Sequence, residues 1–145
     1  MHKYCLLFLA LLACNKEPGT QVEVVPSGDI IFKNYQLSTV KTRLIGKWRL
    51  IYGEGGFAGQ TVYCPNCTVE ITKSDSMYWI ETGIPKIASP ISWLYAKTYN
   101  DTLVYQMSIH YITGNPRTYI LDRIYKDSLI FYEYGRDGYR FFLTK

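Results

Sequence analysis

From residue 46 onward the chain runs in short segments rich in Val, Ile, Tyr, Phe, Trp and Thr, broken by Gly, Asn, Asp and Pro. Alternation with a period of two puts successive side chains on opposite faces of a strand, so this stretch predicts an all-β domain, a sandwich or a barrel. The pattern is cleanest over 103–111. There Leu103, Tyr105, Met107, Ile109 and Tyr111 share one face, and Val104, Gln106, Ser108 and His110 form a mostly polar one. Further strands are expected over 46–52, 60–64 with 67–73, 77–82, 92–98, 117–126, 129–134 and 139–144. That makes eight, or nine to ten if the run around Pro65-Asn66 splits and the leader pairs. Glycine-rich 53–59 reads as a flexible loop, and 83–90, with Pro85 and Pro90, as an irregular one.

Before the first strand, Ser38 or Thr39 as N-cap and Val40 with Leu44 at helical spacing predict a helical turn that plugs one end of the barrel. Residues 14–37 read as a tether. Alternatively, Val22-Glu23-Val24 and Ile30-Ile31-Phe32 form a hairpin on the rim, marginal by itself. Residues 1–13 pair a basic start, His2 and Lys3, with an apolar run over 6–12 that ends Leu11-Leu12-Ala13-Cys14. The run is far shorter than the roughly 20 apolar residues a membrane-spanning helix needs, and it resembles a bacterial lipoprotein signal peptide. That resemblance implies that Cys14 becomes the first mature residue and carries lipid. Several acyl chains at about 0.8 kcal/mol per buried CH₂ would hold the domain on a membrane. The expected address is the outer membrane, facing the periplasm or the cell surface.

Charge changes this picture little. Sixteen Lys and Arg against 12 Asp and Glu give +4, or +3 once Lys3 is cleaved, and no run concentrates them, which argues against nucleic acid as a partner. Cysteine usage changes it more. Of four Cys, Cys5 leaves with the signal and Cys14 is lipidated, so Cys64 and Cys67 remain, expected to pair with each other in an oxidising compartment. Their C-x-x-C spacing also suits a redox pair or half a zinc site. The redox reading needs a helix N-terminus, and zinc needs further ligands where the mature chain offers only His110. A structural disulfide is the expectation, and no metal.

The eight-strand pattern led by a helical turn and Gly46-Lys47-Trp48, with the lipoprotein-type signal and the closing stretch Asp127-Ser128-Leu129-Ile130 through Asp137-Gly138-Tyr139-Arg140-Phe141-Phe142, resembles the lipocalin-like (calycin) β-barrels, in the lipoprotein form common among Bacteroidetes-type bacteria. The similarity covers about 38–145. It implies a single closed, antiparallel, up-and-down barrel of about eight strands. It also implies that Trp48 lies across the closed end under a basic side chain, for which Arg140 is the candidate.

Fourteen Tyr, six Phe and three Trp allow two readings. In one, Trp48, Tyr52, Trp79, Trp93, Tyr105, Met107 and Tyr111 line a lumen or rim that accepts a flat or apolar molecule. In the other, the same residues fill the barrel, and the loops 53–59 and 83–90 dock a protein or an envelope glycan. A lumen of roughly 300 Å³ or more separates the first from the second. Nothing in the chain assembles a catalytic set. His110 stands alone on a polar face, and Asp75, Glu81, Asp122 and Glu133 would form a carboxylate pair only by accident of folding. A non-enzymatic binding protein without a cofactor is the expectation.

Overall fold

The computed structural model describes residues 28–98, 100–110, 115–135 and 137–145. The leader over 1–13, Cys14, the first part of the tether with Val22-Glu23-Val24, and Tyr111 lie outside them. The described chain is all-β, as expected. Its strands are β1 (Ile30–Ile31), β2 (Gly46–Gly55), β3 (Gln60–Val62), β4 (Cys67–Ile71), β5 (Ser76–Glu81), β6 (Ile84–Pro90), β7 (Ser92–Lys97), β8 (Leu103–Ile109), β9 (Arg117–Tyr125), β10 (Ser128–Glu133) and β11 (Tyr139–Thr144). A 3₁₀ turn (Phe32–Asn34) and one helix, α1 (Leu37–Leu44), precede β2.

Nine strands form one curled antiparallel path, β6-β5-β4-β2-β11-β10-β9-β8-β7, with β1 added to β9 and β3 to β2. The expected closed barrel of eight strands therefore does not form. The sheet is an open half-barrel of eleven strands whose free edges are β6 and β7. Those edges are consecutive in the chain, separated only by Ile91. With every neighbour antiparallel, the first and ninth strands of the path run the same way, so β6 and β7 are one track bent at Ile91. Its first half pairs with β5 and its second with β8. Three hydrogen bonds hold the gap: Ile91 N–H to the Asp75 carbonyl at 2.7 Å, His110 N–H to Ser89 Oγ at 3.0 Å, and the Trp93 indole N–H to Asp75 Oδ1 at 3.0 Å.

β6 occupies the segment expected to be irregular. Pro85 sits beside a bulge where Lys86 is the extra residue, and Pro90 ends the strand. An edge strand tolerates both, because the missing N–H groups need not serve a second neighbour. The β2–β11 ladder carries a second bulge: Leu143 faces Leu50 and Phe142 faces Tyr52, which leaves Ile51 unpaired. An inserted residue reverses the parity of everything beyond it. Trp48 and Leu50 point inward as expected. Tyr52 turns to the outer face instead and stacks on Phe142, centroids 4.4 Å apart.

α1 begins one residue before the expected cap, with Gln36 as N-cap, and buries Val40 and Leu44. It lies at the end of the half-barrel where β2 starts. Lys41 reaches Asp75 in the β4–β5 turn at 2.7 Å. Gly46 makes the corner from helix to strand at φ +132°, a conformation side chains disfavour. The core also reaches back before residue 38. Ile30 and Phe32 are buried, the first paired with Ile124 of β9 and the second between β8 and β9. Because β1 takes Arg123 and Ile124, β8 pairs with β9 only over Gln106–Ile109, and the start of β8 parts from the wall. That parting explains why Leu103 is exposed although its alternation placed it inside.

Candidate functional site

Trp48 closes the α1 end of the interior. It is 1% exposed, and its indole N–H donates to the Leu44 carbonyl at 2.8 Å. The cation over its ring is Lys145, with Nζ 4.8 Å from the centroid, and not Arg140. Strand parity is the reason. Residues 141 and 143 of β11 face in and 145 continues that series, whereas Arg140 and Phe142 face out. Arg140 stands over the Phe142 ring at 5.0 Å and contacts Asp122 at 3.3 Å.

The other expected lining residues are also held by protein groups. Met107 has no accessible surface. Trp79 packs edge-on to Phe141 at 5.1 Å, and Trp93 donates to Asp75 beneath Lys41, whose Nζ is 5.2 Å from the ring. Tyr105 donates to the Tyr35 carbonyl at 2.9 Å and tilts against Tyr95. Val69, Met77, Ile87, Ile109, Phe131 and Leu143 likewise have no accessible surface, so no void of water size adjoins any of them. The structure thus brings Trp48, Trp79, Trp93, Tyr105 and Met107 onto one core but leaves no lumen beside its sealed members. Tyr52 is outside that core.

Away from the α1 end lie the three most exposed large apolar side chains among the described residues. Phe57 is 96% exposed at the tip of the β2–β3 turn, Tyr63 72% and Ile84 59%. Cys64 and Cys67 are bridged there, Cα atoms 5.3 Å apart, within the range a disulfide spans. The loop they close is pinned to the next hairpin by Thr82 N–H on the Asn66 carbonyl at 3.1 Å. Glu81 lies close enough to complete a trio of donor atoms within 4.8 Å, but sulfurs bonded to each other offer no thiolate. Cys67 is buried, so its replacement should be alanine rather than serine. A Cys64→Ser, Cys67→Ala variant should lose only about 2 kcal/mol by the chain-entropy relation for so short a loop. Urea titration checks this, and failure to fold would show that the bridge holds the rim itself.

The four carboxylates singled out above each face a cation: Asp75 faces Lys41, Glu81 faces Lys86 at 3.8 Å, Asp122 faces Arg123 and Arg140, and Glu133 faces Arg117. An open concavity of about 310 Å³ lies on the rim beside Glu133, Gly138 and Tyr139.

Sequence reasoning missed a cleft on the outer wall. Where β8 leaves β9, Val104 and Gln106 are buried although they lie on the face expected to be polar. Two hollows, of about 180 and 120 Å³, adjoin there and share Tyr132 as a wall. Asp122 is the unpaired residue of a third bulge, between the pairs Arg123–Ile130 and Leu121–Phe131, and it projects toward Arg123 at 3.2 Å. Burial, then the Asp122 charge, raise the Tyr132 pKa, while Arg140 works against them. The hydroxyl therefore remains a donor through neutral pH. Val104, apolar on the face expected to be polar, was the available signal. Comparison with known protein families, with curated proteins and with solved structures finds no match to this chain.

Proposed function

We propose that this protein is a non-enzymatic interaction module of the cell envelope, carried on the membrane by lipid at Cys14, which docks a protein or glycan through the rim opposite α1. The observation behind this reading is the contrast between a packed interior and Phe57, 96% exposed on a tight turn. A ligand seated against Trp48, Met107 or Phe131 would have to displace side chains that leave those residues at most 1% exposed, at the cost of interior packing. An aromatic this exposed at the tip of a turn is instead the kind of anchor that interfaces bury, and Tyr63 and Ile84 are exposed as well. Attachment through lipid rests on the Leu11-Leu12-Ala13-Cys14 pattern of the leader.

The test is photo-crosslinking in the native envelope with benzoylphenylalanine placed at 57, at 63 and, as control, at Lys47, exposed near the opposite end. Positions 57 and 63 should give one shared adduct that position 47 does not. Equal adducts from all three, or a stoichiometric apolar molecule in native mass spectra of the extracted protein, would overturn the reading.

A further inference from the structure

The larger hollow of the outer cleft shares no lining residue with the rim concavity and carries its own chemistry. This hollow, about 180 Å³, is bounded by Ile31, Lys33, Thr102, Val104, Leu121, Asp122, Arg123 and Tyr132. An apolar cavity of about 150 Å³ accommodates a benzene ring, so the hollow suits a molecule of roughly that bulk. Ile31 and Val104 supply apolar wall, and four donors surround it.

Lys33 makes no ion pair among the described residues. Arg123 engages Asp122 through Nε alone, which leaves its terminal nitrogens available. The Tyr132 hydroxyl has no hydrogen bond among the described residues, and Thr102 Oγ1 reaches only a distant carbonyl at 3.5 Å. The one acid in the lining, Asp122, lies between two guanidiniums, Arg123 at 3.2 Å and Arg140 at 3.3 Å, the second of them shared with Glu54 at 4.0 Å. With Lys33 added, the local balance is positive.

We propose that this cleft binds a small organic anion, a carboxylate or phosphate monoester on a ring or short apolar body, with the anion on Lys33 and Arg123 and the body against Val104 and Ile31. Hydrogen bonds from charged donors to such oxygens are about twice as strong as neutral ones, whereas a cation of the same bulk would meet uncompensated Lys33.

Benzoate is the probe, followed by amide chemical-shift titration of the folded protein. Saturable shifts confined to residues 31–33, 102–104, 121–123 and 132 are expected, with Kd on the order of 1 mM, the affinity of a few such contacts. Lys33→Ala should weaken binding at least fivefold and Tyr132→Phe at least twofold, while Lys47→Ala should leave it unchanged. Phenyl phosphate binding tighter than benzoate would assign the site to phosphate esters, and the reverse order to carboxylates; either supports it. Benzylamine or benzyl alcohol binding as tightly as benzoate would overturn the proposal. Equal losses from Lys33→Ala and Lys47→Ala, or no saturable shift by about 20 mM, which lies far beyond the expected Kd, would do the same.

Discussion

Trp48→Ala should remove about 3–5 kcal/mol of folding stability, the range seen when a buried large aromatic side chain is truncated. Three effects act together. The indole volume becomes a cavity against Leu44 and neighbours that have no free space to relax into. The Leu44 carbonyl at the end of α1 loses the N–H that satisfied it at 2.8 Å. Lys145 loses the ring beneath its ammonium. Against a typical net stability of about 5–15 kcal/mol, such a loss leaves a domain near its unfolding threshold. Lys47→Ala, one residue away and exposed, should change stability by well under 1 kcal/mol. Equal denaturation midpoints for the two variants would place Trp48 at the surface and remove the basis for the core described above.

Gly55→Ala should be nearly as costly, about 2–5 kcal/mol, by a different route. Gly55 has φ +145°, and a Cβ there would overlap the Gly138 carbonyl oxygen and lie 2.9 Å from Tyr139 Cα. Both obstacles are main chain, so no rotamer change relieves them; β2 and β11 would have to separate at the rim. Gly59→Ala is the control. It also has positive φ, +62°, but nothing stands within 4 Å of the added methyl, so only the conformational penalty of about 1 kcal/mol remains. Melting temperatures that rank the two alike would mean that Gly55 and Tyr139 are not partners.

Class and strand positions were legible because alternation is a local property. The run at 103–109, the two turns flanking 129–133 and the helical spacing of Val40 and Leu44 each needed no knowledge of the rest of the chain. What stayed hidden was set by pairing. Nothing in Leu50-Ile51-Tyr52 announces that Ile51 will be bulged, because the bulge exists only against Leu143 and Phe142. Yet it decides that Tyr52 belongs outside. The choice of Lys145 over Arg140 follows from inward parity along β11, which sequence order alone does not give. Pro85 and Pro90 concealed β6 because proline excludes a strand only where both edges are paired. The outer cleft was invisible for a related reason: it is made by Ile30 and Ile31 taking the place beside β9 that β8 would otherwise hold.

The single residue between β6 and β7 has a kinetic consequence. On either side of Ile91 the path is a sequence-local meander, β2 to β6 and β7 to β11, built from neighbours that meet within a few tens of residues. Only the β2–β11 ladder, with the short β1–β9 contact, joins positions about 90 residues apart, as in Tyr139 opposite Gly55. Local hairpins form in microseconds, while closing a long loop must be compensated before its contacts exist. The slow step of folding is therefore expected to be the docking of two partly formed half-sheets along β2 and β11, with the contacts of Leu50, Gly53, Phe141 and Leu143 maturing last, which φ-values at Leu50 and Leu143 would check.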